Sequence, residues 1–121
     1  MIRAIPLLIL AVVCPTALGA DFVHPMEFNG TEQQKDQVIQ YITETVEKDY
    51  CGKVDMCDAS TLRMMEASDL KSFKQAAKAK NREIMDTVIH DYCHRVDMCS
   101  YSNIWMMYQQ NLDASTKKLK W

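Results

Sequence analysis

Proline is absent beyond Pro25, and glycine after residue 20 is confined to Gly30 and Gly52. Both residues interrupt helices, so their scarcity leaves helix free to run through most of the chain. Long apolar runs are missing too. The one candidate, residues 4–14 with Pro6 inside it, is shorter than the ~20 residues a membrane-spanning helix needs. It follows Arg3 and ends in small residues before Asp21, the pattern of a secretory signal peptide. Cleavage is expected before Ala20 or, preferably, Asp21, giving an exported protein, periplasmic or secreted. Cys14 falls in the leader behind Val13, where a lipid-modified cysteine would need a small residue before it.

A basic excess is also lacking. Of 14 basic residues Arg3 leaves with the leader, so 13 face 16 acidic ones and the net charge is -3. Nucleic acid, which demands a basic face, is not an expected partner. The single basic cluster, Lys117, Lys118 and Lys120 beside Trp121, reads as a solvated tail, with a surface anchor as its rival. No Ser-His-Asp set, nucleotide-binding glycine loop or close carboxylate pair occurs, so neither an enzyme nor a bound cofactor is expected.

What is present is an internal repeat. Residues 46–70 laid over 88–112 agree at 12 of 25 positions without a gap, and Ile42 and Thr45 also recur as Ile84 and Thr87. The densest stretch, DYCGKVDMC at 49–57, returns as DYCHRVDMC at 91–99. Two copies of one unit must bury their apolar faces on each other. Inside the unit the period is helical: Val38, Ile39, Ile42, Val46 and Tyr50 form one stripe, and Leu70, Phe73, Ala77, Ile84, Val88 and Tyr92 the other. Thr31 and Gln34 form a capping box, while Ser68 or Asp69 reads as the second start.

The expected fold is therefore all-α, with two tandem αα-hairpins packed as a small four-helix domain and helices near 31–51, 56–67, 69–93 and 98–111. The expected organisation is a leader over 1–20, an extended arm over 21–30, one domain over 31–112 (repeats 31–70 and 73–112) and a basic tail over 113–121. Pro25 disfavours helix at His24. Asp55 and Asp97, just before the second helix of each unit, read as N-caps. Asn29-Gly30-Thr31 fits a glycosylation sequon, relevant only in a eukaryotic source.

Cys51, Cys57, Cys93 and Cys99 form two C-x5-C pairs in an exported chain, which reads as disulfides. Pairing within each unit, Cys51 with Cys57 and Cys93 with Cys99, joins the end of one helix to the start of the next. Zinc or copper held by cysteine, by His90 and His94, and by the eight methionines after Met1 is the rival reading. Structural zinc favours shorter cysteine spacings, and thiol-disulfide catalysts use C-x-x-C. The duplicated pairs Met64-Met65 and Met106-Met107 read mainly as packing. Asp49 and Asp91 lie where a helix dipole disfavours an anion, which points to a hydrogen bond into the following loop or a paired surface feature.

The functional expectation is a non-enzymatic binding or interaction protein of inhibitor, immunity or accessory type that meets a protein partner through its stiffened loops. Lys53 and Val54 in one loop, Arg95 and Val96 in the other, and Trp105 and Tyr108 on the last helix are the candidate contacts. Trp105 and Tyr108 stand where the first copy has Arg63 and Glu66, and aromatics are enriched at interfaces.

Overall fold

The computed structural model describes residues 20–121; the expected leader up to Gly19 lies outside the described residues. Four helices and two disulfides make an all-α domain, with no strand among the described residues. Helix α1, Glu32–Glu47, begins where Thr31 accepts the Gln34 N-H at 3.3 Å. The capping box is wider than expected, because Gln34 Oε1 takes the Asn29 N-H at 2.8 Å and the Thr31 N-H goes to Asn29 Oδ1. The chain enters this cap through Gly30 at φ 76°, a left-handed conformation that glycine adopts without steric cost. Val38, Ile42 and Val46 are buried as the stripe predicts, but Ile39 is 53% exposed.

Each first helix widens into a π segment at its end, Lys48–Lys53 after α1 and His90–Arg95 after α3, Arg82–Ile89. The two segments close alike: Val54 N-H donates to Asp49 C=O, and Val96 N-H to Asp91 C=O, both at 3.2 Å. Met56 and Met98 then donate to the carbonyls of Tyr50 and Tyr92 at 3.0 and 3.1 Å. This folding-back brings the paired cysteines to Cα separations of 4.6 and 4.5 Å, within bridging range. Gly52 does not occupy the left-handed region, and a Cβ there would meet nothing within 4 Å. Gly52→Ala is accordingly expected to raise stability by about 0.4–1 kcal/mol, read as a higher urea midpoint, by restricting the unfolded chain.

The helix boundaries in the middle of the chain correct the sequence expectation. Ser68 and Asp69 start nothing: α2 runs unbroken over Ala59–Ala76, and α3 is only Arg82–Ile89 before its π segment. Asn81 caps α3, accepting the Ile84 N-H at 3.0 Å, while its own N-H donates to the Tyr108 hydroxyl at 3.1 Å. The break over residues 77–81 thus falls among good helix formers, and tertiary contacts override their propensity. The second-helix caps are also different. Asp58 accepts the Thr61 N-H and Ser100 the Asn103 N-H, whereas Asp97 pairs with lysines and Asp55 makes no ion pair among the described residues.

Helix α2 packs on α1 and on α4, Tyr101–Ala114, and α3 packs on α4, so α2 against α4 is the central seam. Val88, Met85 and Ile104 fill the core between them. Tyr101 is its hub: fully buried, it lies 4.8 Å from Phe73 and 5.4 Å from both Phe22 and Tyr41, measured between ring centroids. Its hydroxyl donates to Val23 C=O at 2.9 Å and accepts the Val23 N-H at 3.2 Å. The segment before Thr31 is therefore a strap built into the core, with Val23 and Pro25 buried and a 3-10 turn over Pro25–Glu27. His24 precedes that turn in an extended conformation, as Pro25 requires. At the other end, Leu119 and Trp121 stand fully exposed beyond α4.

Candidate functional site

The two disulfide loops lie side by side at one end of the domain, and the first reaches across to the second. Lys53 Nζ sits 3.1 Å from the Asp97 carboxylate, donates to the Asp97 carbonyl at 3.0 Å, and remains 3.3 Å from Asp49 of its own unit. Lys48 adds a second contact to Asp97 at 3.0 Å. These lysines, Lys48 first, hold the Asp97 carboxyl below the usual carboxylate range. The Tyr41 hydroxyl donates to Cys99 C=O at 2.6 Å and ties α1 to the second loop from beneath. Burial, with smaller contributions from nearby Asp69, Asp49 and Asp97, pushes its phenol up to about 12.

Asp49 and Asp91 find a common explanation here. Each carboxylate pairs with the basic residue four positions on, Lys53 at 3.3 Å and Arg95 at 3.5 Å. The hydrogen bond from each following loop is accepted by the backbone carbonyl of the aspartate instead. Arg95 stays with Asp91 of its own unit, so among the described residues the basic side chain of the first loop alone crosses to the other loop.

Between the loops opens a cleft of about 400 Å³, walled by Val46, Tyr50, Val54, Met65 and Met98 and edged by Asp49, Lys53, Asp97 and Asn103. Its size is typical of small-ligand pockets. Asp69 forms part of its lining although only 5% of that residue is exposed. One carboxylate oxygen, Oδ1, accepts both the hydroxyl and the N-H of Ser102 across the seam between α2 and α4. The other oxygen has no hydrogen-bond partner among the described residues and is not sealed from solvent. Burial raises the Asp69 carboxyl above its ordinary value, with Asp49 adding to the rise and the Ser102 bonds opposing it. The sequence reading missed this acid by taking it as a helix start. Its legible signal is a carboxylate at the spacing of an apolar stripe, between Met65 and Phe73.

A titration separates Asp69 from its neighbours. In the unfolded chain its pKa is near 3.8, and folding raises it, so the native state takes up a proton in the window above that value. Its contribution to stability grows as pH falls through the raised pKa and is absent from an Asn variant. Asp58, Asp86 and Asp97, held low by Thr61, His24 and Lys48, give the opposite slope to both proteins. The expected result is that Asp69→Asn is at least as stable as the parent at pH 7 and loses this advantage toward pH 4 in urea melts. A constant difference across pH would show that the Asp69 pKa is unshifted.

The remaining candidate residues divide. Lys53 and Val54 border the cleft, while Arg95 and Val96 are exposed and do not line it. Trp105 is half-buried and stacks on Tyr108 with centroids 5.5 Å apart. Tyr108 is 3% exposed and hydrogen-bonded to Asn81, which corrects its reading as a candidate contact: it is a core residue. The methionine pairs split by one helical step, with Met65 and Met107 packed inward and Met64 and Met106 exposed.

The cysteine part of the metal reading is corrected by the bridges, since Cys51 with Cys57 and Cys93 with Cys99 leave no thiol for a cage among the described residues. His90 and His94 are exposed with rings 5.9 Å apart, and no three metal-binding side chains converge among the described residues. His24 meets Asp86 at 2.7 Å through Nε2, but its Nδ1 accepts the Met26 N-H, so both ring nitrogens hold the strap in place. Replacing Cys51 and Cys57 together by alanine is expected to cost about 2 kcal/mol in a urea melt, from the short loop they close. No family model, no curated protein and no solved structure matches this chain.

Proposed function

We propose that this chain is an exported, non-enzymatic binding protein that engages a protein partner with the end of the domain formed by its two disulfide loops. One observation carries the reading: the loops are closed covalently, linked to each other through Lys53 and Asp97, and flank a cleft beside exposed Val54, Met56 and Met98. Loops stiffened before contact lose little entropy on binding. The apolar tips supply the desolvated centre an interface needs, and the charged edge supplies its rim. Two disulfides and the absence, among the described residues, of a helix long and apolar enough to cross a membrane are compatible with export.

The test is affinity capture from an extract of the source organism's exported fraction on immobilised parent protein and on a Val54→Asp, Met98→Asp variant. Both positions are about half exposed, so the variant should fold with a circular dichroism spectrum like the parent's. A protein retained by the parent and lost on the folded variant supports the reading. Equal retention on both overturns it.

A further inference from the structure

We infer that the cleft between the disulfide loops takes up a primary alkylammonium group, held by Asp69; this deepens the binding reading above by naming what that site recognises. Four charged side chains line the cleft, and three of them satisfy one another: Lys53 lies between Asp49 and Asp97, at 3.3 and 3.1 Å. Asp69 alone of the four has no cation partner among the described residues. The residue is only 5% exposed and lines the cleft, its Oδ1 is committed to Ser102, and its second oxygen, not sealed from solvent, has no hydrogen-bond partner among the described residues. A carboxylate drawn this far out of water without a counter-charge is costly, and a cation arriving through the cleft offsets that cost.

The shape of the acceptor selects the kind of cation. A guanidinium makes its strongest contact by a two-pronged fork onto both oxygens of a carboxylate, and here one oxygen is already taken. An ammonium is a compact charge with three donors, so it can meet the single free oxygen and still turn toward other acceptors. A bare metal ion is poorly served, since no three acids, histidines or cysteines converge among the described residues. The walls complete the match. Val46, Met65 and Met98 offer apolar surface to an alkyl stem, as long amines bury their methylenes while the charge seeks a polar partner. Asp69 belongs to the first repeat alone: its counterpart, Asn111, donates to Met107 C=O of its own helix and carries no charge.

Two sources carry this chemistry, a free alkyl diamine and a lysine side chain of a partner protein. The experiment titrates the isotope-labelled protein with 1,5-diaminopentane, with lysine blocked at both its amino and carboxyl ends, and with neutral 1-pentanol, following backbone amide shifts. Saturable shifts of Val54, Ser102 and Asn103 with either amine, at least about tenfold weaker with pentanol and with Asp69→Asn, are expected for a charge-assisted contact. Stronger binding of the blocked lysine assigns the site to a partner's side chain, and stronger binding of the diamine to a free amine. Either outcome supports the inference. No saturable shift with the two amines, or equal affinity for pentanol, overturns it using the parent protein alone, whatever the variant's stability. Because no partner protein is present in the titration, its failure leaves the capture experiment standing, and failure of the capture leaves the titration readable.

Discussion

Deleting residues 20–28 is expected to abolish the cooperative thermal transition of the domain. The segment looks dispensable in the sequence, since it lies outside the repeat and carries no helical period. In the structure it supplies two buried residues, Val23 and Pro25, and sets Phe22 on Tyr101 and Phe28 edge-on to Phe73 at 5.1 Å. At about 1.5–3 kcal/mol for each fully buried apolar side chain, two buried and two half-buried residues contribute on the order of 6 kcal/mol. That is comparable to the whole stability of a typical domain, roughly 5–15 kcal/mol. The deletion also strands the buried Tyr101 hydroxyl, at a further cost of about 1–3 kcal/mol. Circular dichroism melts of residues 29–121 against 20–121 decide the matter. A transition within a few degrees of the longer protein would mean that the strap is an appendage.

The second large effect concerns the two aromatics of α4, which the structure separates although the sequence groups them. Tyr108→Glu, the residue type of the first copy, is expected to unfold the domain. It removes a ring that is 3% exposed, at about 3–5 kcal/mol for truncating a buried aromatic. It also places a carboxylate in the core beside an Asn81 N-H that has lost its acceptor, at the start of α3. Trp105→Arg is expected to cost only about 1–2 kcal/mol, because a half-buried arginine can lay its stem on the core and carry its charge to water. Urea unfolding of the two single variants measures the split. Equal, small losses would place Tyr108 on the surface and restore it as a contact residue.

The strap bears on function through these energetics. It holds Tyr101, the first residue of α4, and the α4 cap Ser100 follows immediately after Cys99 of the second loop. His24 to Asp86 and Glu27 to Arg82, at 2.7 and 2.9 Å, fasten the strap to α3, the helix that leads into the same loop. The strap therefore holds both helices that flank the second loop, while the first loop is held to the second by Lys53. The rigidity on which the binding reading depends comes from these contacts as well as from the disulfides.

Much of this architecture follows from local rules that the sequence displays. The four helices exist where apolar residues recur every three or four positions, and the cysteines pair within each unit because a helix end and the next helix start are only six residues apart. The like geometry of the two loops follows from their shared residues, because hydrogen bonds within one turn depend on neighbours in the chain. Other features were decided between elements distant in sequence. Ser68 and Asp69 have the chemistry of a cap, but capping needs free helix N-H groups, and α2 passes straight through them because Asp69 finds its donors on Ser102, 33 residues away. The real break, at Ala77 to Asn81, has no strong local signal and is set by the Tyr108 hydroxyl and the burial of Ala76. Periodicity identifies a stripe but not how much of it a neighbour covers, which is why Ile39 and Met64 stay in water while Met65 does not. The cleft belongs to the same class: Asp69, Lys53 and Asp97 are scattered along the chain, and only the packing of α2 on α4, with one loop folded across to the other, makes them a site.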